Sequence, residues 1–311
     1  PTLVRSEPTW RLYLLVSHAV QDGHITLLNL LRYISFRAGC ACMTALGISL
    51  LLGRPLITML RRIQRYGQPI RAVGPERHII EKAGTPTMGG MLILIALTVA
   101  TLLWGNLENG FVWAVLLTTL GFGLIGFADD YRKLARRNTD GLSKRARLGS
   151  EFAISLICGG WLQYLMPPEL ANHLAFPFAK ELLLPLGLLY PVFAMIVITG
   201  FGNAVNFTDG LDGLAIGPVV VASLVFAILS YVVGNHVFAD YLQVHAVPGT
   251  GELAVCCAAL VGAGLGLLSS NAPPAAGVMR GTGSLPIRVH LAPVLSPPTT
   301  NWRCALAAAG V

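Results

Sequence analysis

Charged residues are scarce in this 311-residue chain, where only 12% of positions are Asp, Glu, Lys or Arg. An ordinary soluble domain has about 25%. This shortage, together with 54% hydrophobic residues and a mean hydropathy of +0.65, excludes a soluble globular domain. The apolar runs are continuous and do not alternate with polar residues, so a membrane β-barrel is excluded as well. We therefore predict an integral membrane protein built from helices.

Cysteine spacing and charge distribution exclude two further classes. The six cysteines show neither a disulfide framework nor the spacing of a zinc site. The formal net charge is +7, but the basic residues cluster in two loops between apolar runs instead of along one face. We therefore expect a lipid bilayer, and no nucleic acid, among the partners.

Seven apolar stretches are long enough to cross a bilayer. They are residues 36–60, 87–105, 111–128, 150–166, 183–205, 213–234 and 251–268. The pattern predicts an all-α, polytopic transmembrane helix bundle. It also predicts three regions: an extracytoplasmic or interfacial segment (1–35), a transmembrane catalytic core (36–268) and a proline-rich tail (269–311).

The basic residues orient this bundle. They concentrate in the first and third connections between spans, which the positive-inside rule places in the cytoplasm. Alternation of the spans then places the fifth connection, residues 202–212, on the same side. Asp209 and Asp212 are therefore predicted to face the same compartment as Asp129 and Asp130.

The segment Gly126-Phe-Ala-Asp-Asp-Tyr-Arg-Lys133 joins an apolar run to a basic loop. Two adjacent carboxylates at the mouth of a membrane helix need a compensating charge. Mg²⁺ suits this role, because it takes one or two protein carboxylates together with phosphate oxygens. The alternative is a charge cluster that only marks the water interface.

Residues 82–90 end the first basic loop and begin the second span. Thr85 is a plausible N-cap, with Pro86 at the first helical position. Free N–H groups at that helix start, together with Lys82, are suited to hold an anionic group. Ordinary capping is the alternative, but it does not explain the lysine or the paired glycines at 89 and 90.

Residues 202–214, Gly-Asn-Ala-Val-Asn-Phe-Thr-Asp-Gly-Leu-Asp-Gly-Leu, interrupt an otherwise apolar stretch with two asparagines, two aspartates and three glycines. A plain turn does not need so many polar and small residues. Polar groups within membrane segments are costly and tend to be functional. We therefore interpret this segment as part of a functional site.

Two glycine patterns favour helix packing over nucleotide binding. Gly121-Phe-Gly-Leu-Ile-Gly126 has the spelling of a dinucleotide-binding loop, but it lies inside an apolar run of helical length. Gly262-Ala-Gly-Leu-Gly266 has a similar setting. Small residues in membrane helices more often serve close packing.

The polar segments together predict metal-assisted phosphoryl transfer at the cytoplasmic face, with a lipid as one substrate. A transporter also contains intramembrane acids and broken helices. The position of the acids near one face, and the lack of an internal repeat in the sequence, disfavour that alternative.

Three segments carry a resemblance to a known family: Gly84–Gly90, Gly126–Lys133 and Gly202–Leu214. In this order and at this spacing, they resemble the phospho-N-acetylmuramoyl-pentapeptide-transferase family of the polyprenyl-phosphate N-acetylhexosamine-1-phosphate transferase superfamily. The resemblance covers residues 36–268. It implies about seven of the family's ten spans, and transfer of phospho-MurNAc-pentapeptide from UDP-MurNAc-pentapeptide to undecaprenyl phosphate. Lipid I and UMP are the implied products, in the first membrane step of peptidoglycan synthesis. The resemblance also implies Mg²⁺, a homodimer, and a bacterial cytoplasmic membrane location with the site on the cytoplasmic face.

The resemblance further implies roles for individual residues. The catalytic residues are Asp129, Asp130 and Asp209, with one of the adjacent pair deprotonating the lipid phosphate. Asp130 and Asp209 are the implied metal ligands. The implied substrate-binding residues are Lys82, Thr87, Asn206, Gly210, Leu211, Asp212 and Asn271.

The tail departs from the family pattern. Gly281 stands where a metal-binding aspartate is expected, and Val278 where an aromatic residue is expected to pack on uracil. Repeated prolines after Leu285 leave no run of spanning length, and we expect His290 at the surface. Three alternatives stay open: a UDP-GlcNAc:polyprenyl-phosphate GlcNAc-1-phosphate transferase, a copy damaged by a disrupted reading frame, and a natural truncated relative without activity.

Overall fold

The computed structural model describes residues 30–63, 90–136, 141–168, 170–171, 173–176, 179–208, 216–242, 244–271 and 289–294. Most of the described chain is helical. The helices are α1 (Ile34–Ile63), α2 (Gly90–Trp104), α3 (Gly110–Arg136), α4 (Lys144–Leu165), α5 (Tyr190–Thr208), α6 (Ile216–Gly234), the short α7 (His236–Tyr241) and α8 (Leu253–Asn271).

A helix occupies each of the seven stretches predicted to be apolar spans, and the all-α bundle is confirmed. Among the described residues, four helical segments are long and apolar enough to cross a membrane: Ile34–Leu60, Gly110–Ala135, Ile216–Gly234 and Thr250–Ser269. Gly90–Trp104 and Gly187–Asn203 are apolar but shorter. By length and composition, the bundle therefore has several membrane-capable helices.

The fifth predicted span differs from the structure at both ends. A hairpin of two antiparallel strands, β1 (His173–Phe176) and β2 (Ala179–Pro185), takes up the first residues of that stretch. α5 then begins at Tyr190 and continues to Thr208, through positions expected to form a loop. The helix tolerates Asn203 because its side-chain amide donates a hydrogen bond to the carbonyl of Thr199, at 3.0 Å.

α8 lies at the centre of the bundle, where it packs against α1, α2 and α6. In the most apolar stretch of the Thr250–Ser269 segment, 83% is buried, whereas the corresponding stretch of α1 is 22% buried. Glycine permits the close approach of α8 to α1: a Cβ on Gly262 would overlap the backbone carbonyl of Cys42, and one on Gly266 would overlap Ser49. The packing interpretation of these glycines is therefore confirmed.

A buried ion pair closes one end of the bundle. Arg37 of α1 donates to both carboxylate oxygens of Glu252, at 2.9 and 2.5 Å. Arg37 also donates to the carbonyl of Trp104 at 3.2 Å, and Glu252 accepts from the backbone N–H of Asn106 at 3.2 Å. This network joins the start of α1, the end of α2 and the start of α8.

Six residues of the tail pack inside the bundle. Residues 289–294 form a short helix, and Val289, Leu291, Ala292 and Val294 are buried. His290 is fully buried, and its Nδ1 lies 2.8 Å from the hydroxyl of Thr119 on α3. The prediction of a surface His290 is therefore wrong, because this apolar segment buries the imidazole and supplies it with a partner.

Candidate active site

α3 carries both adjacent aspartates, because the helix continues past the apolar run to Arg136. Asp129 is almost fully buried. Its Oδ1 accepts a hydrogen bond from the backbone N–H of Leu142 at 2.7 Å, and its Oδ2 accepts one from Lys133 Nζ at 2.5 Å. Asp129 therefore ties the end of α3 to the residues that precede α4. We call this end of the bundle the site end.

Gly141 allows this tie to form. A Cβ at Gly141 would overlap Asp129 Oδ1 and would lie 2.7 Å from Cε of Lys133. Both distances are closer than Cβ contacts normally are, and the nearest neighbour is the Asp129 carboxylate. The absence of a side chain at this position is thus a requirement of the Asp129 geometry.

Asp130 is fully buried beside Asp129. Its Oδ1 lies 3.9 Å from Nζ of Lys133, which therefore interacts with both carboxylates. Two adjacent carboxylates supply the hard oxygen donors that a divalent cation such as Mg²⁺ prefers.

A second polar cluster joins α4 to α5 at the same end. Glu151 is fully buried, and its Oε1 accepts from Nε of Arg147 at 3.0 Å. Its Oε2 accepts from Nδ2 of Asn203 at 2.7 Å. The first part of the 202–214 segment therefore lies at the end of the bundle that carries Asp129, as the alternation of the spans predicted.

The other predicted site residues divide into two groups. Asn206 lies in the last turns of α5 and Asn271 at the end of α8, and only their backbones are described. Those outside the described residues are Lys82, Thr87, Asp209, Gly210, Leu211 and Asp212.

Among the described residues, no group of three or more His, Cys, Asp or Glu side chains is arranged to hold a metal ion. Asp130 belongs to the described residues and Asp209 does not. The hard oxygen donors of Asp129 and Asp130 fit a magnesium ion by their chemistry.

Sequence reasoning assigned no role to Gly141, Glu151 or Asn203 individually. A signal for Glu151 was present, because it is an acidic residue near the start of a predicted apolar span, four positions after Arg147. Its partner Asn203 could not be found in this way, because the two residues are 52 positions apart and meet only through the packing of two helices.

Comparison with known proteins places these features in a family. Residues 112–295 match the profile of "Glycosyl transferase family 4". Residues 82–94 match "Phospho-N-acetylmuramoyl-pentapeptide-transferase signature 1". The family match thus includes the helix with the paired aspartates, α5, and the buried tail segment.

Several curated relatives are similar over most of the chain. Phospho-N-acetylmuramoyl-pentapeptide-transferase of Gluconacetobacter diazotrophicus is 73% identical over 274 residues, which are 88% of this chain and 75% of the relative. The enzyme of Gluconobacter oxydans is 72% identical, with coverages of 86% and 74%. That of Granulibacter bethesdensis is 60% identical, with coverages of 83% and 72%.

The chain spans about three quarters of the length of these relatives. Its membrane-capable helices and this similarity together identify a multi-pass membrane protein. By profile match and by identity, the chain belongs to glycosyl transferase family 4 and, within it, to the phospho-N-acetylmuramoyl-pentapeptide-transferase family.

Proposed function

We propose that this chain transfers phospho-MurNAc-pentapeptide from UDP-MurNAc-pentapeptide to undecaprenyl phosphate, giving lipid I and UMP. The observation that carries this proposal is 73% identity, over 88% of the chain, to a protein named phospho-N-acetylmuramoyl-pentapeptide-transferase. The substrates are accordingly a nucleotide-linked sugar peptide and a polyprenyl phosphate. The UDP-GlcNAc alternative is not favoured, because the relatives at 52–73% identity all carry the muramoyl name.

In the proposed reaction, an oxygen of undecaprenyl phosphate attacks the sugar-linked phosphorus of the donor. The bond from that phosphorus to the UMP oxygen breaks, and UMP leaves. Such a reaction is catalysed mainly by positioning and by stabilising charge on the phosphate oxygens. Residues of the site end are proposed to supply both the positioning and the charge stabilisation.

Asp129 is our candidate for the group that takes the proton from the lipid phosphate. It is held on one side by the backbone N–H of Leu142. On the other side Lys133 is about one quarter exposed, so its ammonium group can move from Asp129 to a substrate phosphate. That exchange would leave Oδ2 of Asp129 available as a proton acceptor, directly beside the phosphate.

Asp130 and Asp209 are the proposed ligands of a magnesium ion. When bound, such an ion neutralises charge on phosphate oxygens. The protein's own part is to bury Asp130 completely and to keep Lys133 within 4 Å of it, which orients the carboxylate. Lys82, Thr87, Asn206, Gly210, Leu211, Asp212 and Asn271 are proposed to bind the substrates.

We also propose a location in the bacterial cytoplasmic membrane, with the site end facing the cytoplasm. The site end carries Lys133, Lys144, Arg145 and Arg147, which fits the positive-inside rule. A cytoplasmic site matches a water-soluble nucleotide donor that is made inside the cell. A homodimer is proposed from the family resemblance alone.

The experiment is a transfer assay on the purified 311-residue chain in detergent, with labelled UDP-MurNAc-pentapeptide, undecaprenyl phosphate and Mg²⁺. We expect label to enter the lipid fraction with the wild type and not with Asp209→Asn. Asp240→Asn is the matched control, because Asp240 is an exposed aspartate on α7, far along the chain from the site-end segments. Equal product from Asp209→Asn and Asp240→Asn would overturn the proposed site.

A further inference from the structure

Glu151 is a fully buried carboxylate that the proposed chemistry does not use. Removing an ionised carboxylate from water costs several kcal/mol unless partners compensate for it. Both of its oxygens have such partners: Oε1 accepts from Nε of Arg147 at 3.0 Å, and Oε2 accepts from Nδ2 of Asn203 at 2.7 Å. Both oxygens of this buried carboxylate are thus engaged by protein partners.

Asn203 links this carboxylate to the polar segment of α5. Its Nδ2 donates to Glu151 and also to the carbonyl of Thr199 at 3.0 Å. Both neighbours of that atom are acceptors, so the amide must present its NH₂ group here. Asn203 precedes Asn206 by three residues and Asp209 by six in the sequence.

Asparagine is a weak helix former, so a helical position for Asn203 calls for a specific reason. The bond to Glu151 supplies that reason, since it fixes α5 against α4 within one turn of Asn206. This contact therefore helps to hold α5 in its rotation and depth relative to α4.

We propose that Glu151 is a positioning residue for the transfer reaction. Through Asn203, it holds the site-end turns of α5, which carry Asn206, one of the residues proposed to bind the substrates. Arg147 is the charged partner of Glu151 in its buried position, with 3.0 Å between Nε and Oε1. The inference rests on the proposed function, because the residues being positioned are those proposed for that reaction.

The same helix pair offers a matched control. The hydroxyls of Ser155 and Thr199 share a buried hydrogen bond of 3.1 Å, one turn farther from the site end than the Glu151–Asn203 bond. A substitution at Ser155 weakens the packing of α4 on α5 without touching Asn203. It therefore separates a loss of helix packing from a loss of positioning.

The test compares Glu151→Leu, Glu151→Gln and Ser155→Ala. Leucine fills similar space but cannot accept the Asn203 hydrogen bond, so we expect kcat to fall roughly 10- to 100-fold, with KM nearly unchanged. Glutamine keeps an oxygen for Asn203, and the partly exposed Arg147 can turn to water, so we expect kcat within about threefold of the wild type. Ser155→Ala should keep wild-type kcat.

Hydrogen exchange of the α5 amides at residues 200–208 supplies a readout that does not depend on activity. We expect faster exchange of these amides in Glu151→Leu than in Ser155→Ala, with each variant measured at the same interval below its own melting temperature. Similar exchange in both variants, or kcat losses that follow melting temperature alone, would reduce Glu151 to a structural residue and overturn the proposal.

These readouts separate the two proposals. A wild type without transfer activity, together with faster α5 exchange in Glu151→Leu, would refute the proposed function but keep the positioning contact. An active wild type with an equally active Glu151→Leu would keep the proposed function and refute the positioning role of Glu151.

Discussion

Replacing Gly141 by alanine tests how finely the site end is packed around Asp129. The added Cβ would overlap Oδ1 of Asp129 and would lie 2.8 Å from its Cγ, whereas ordinary contacts are 3.4–4 Å. The Cγ must therefore retreat from 2.8 to at least 3.4 Å, which is a movement of about 0.6 Å, and Oδ1 must move farther. Lys133 Cε, at 2.7 Å from the added carbon, has to shift as well.

This displacement breaks the 2.7 Å hydrogen bond from the Leu142 N–H and moves the proposed proton acceptor. Misplacing a reacting group by about 1 Å can cost roughly 100-fold in rate. For Gly141→Ala we therefore expect kcat to fall roughly 10- to 100-fold, measured as labelled lipid product per minute at saturating substrates.

Gly149→Ala is the control, because a Cβ at Gly149 meets no atom within 4 Å. Gly149 is exposed within α4, where alanine is favoured over glycine by about 0.5–1 kcal/mol. The Gly149→Ala variant should keep full activity and a melting temperature at least equal to that of the wild type. Full activity in Gly141→Ala would refute the argument that the Asp129–Leu142 contact positions the carboxylate.

Three further predictions concern the rest of the molecule. Glu252→Ala leaves the Arg37 guanidinium buried without its carboxylate, so it should lower the free energy of unfolding by about 3–5 kcal/mol in a denaturant titration. The double variant Arg37→Met/Glu252→Leu should have a free energy of unfolding closer to that of the wild type. Gly202→Ala places a Cβ 2.8 Å from Val289 Cγ2 and should lower the melting temperature. Adding Val289→Ala should restore part of the lost melting temperature. A double variant that melts no higher than Gly202→Ala would argue against packing of residues 289–294 on α5. Removing divalent cations with EDTA should abolish transfer, and Mg²⁺ should restore it; product formation in EDTA would contradict the proposed metal requirement.

Hydropathy and charge were enough to predict the broad architecture. Each predicted apolar stretch contains a helix, because satisfying backbone hydrogen bonds in lipid leaves few other conformations. Loop charges also predicted that the Asp129 segment and the 202–214 segment share one end, and the Glu151–Asn203 bond lies at that end. These features depend on composition over many residues.

Individual polar contacts were not predictable in this way. The Arg37–Glu252 pair joins residues 215 positions apart, and it forms only because α8 lies next to α1. The burial of His290 depends on contacts of residues 289–294 with α3 and α5, which no local pattern encodes. Such contacts require the relative rotation of helices, which follows from packing and not from periodicity.

The extent of α5 shows the same limit at the level of a single element. Gly202, Asn203 and Asn206 predicted a loop, because glycine and asparagine are weak helix formers. In the structure, the Asn203 amide is satisfied by the Thr199 carbonyl and by Glu151, so the helix continues to Thr208. A tertiary contact therefore overrides the local preference.

The most direct test of the proposed function is a donor competition on the purified chain with undecaprenyl phosphate and Mg²⁺. UDP-MurNAc-pentapeptide and UDP-GlcNAc, each with its own label, are supplied at equal concentration, and the lipid products are separated by chromatography. The proposed function predicts muramoyl-pentapeptide label in the lipid product and background levels of GlcNAc label. Lipid-linked GlcNAc as the main product, or no lipid product from either donor, would contradict it.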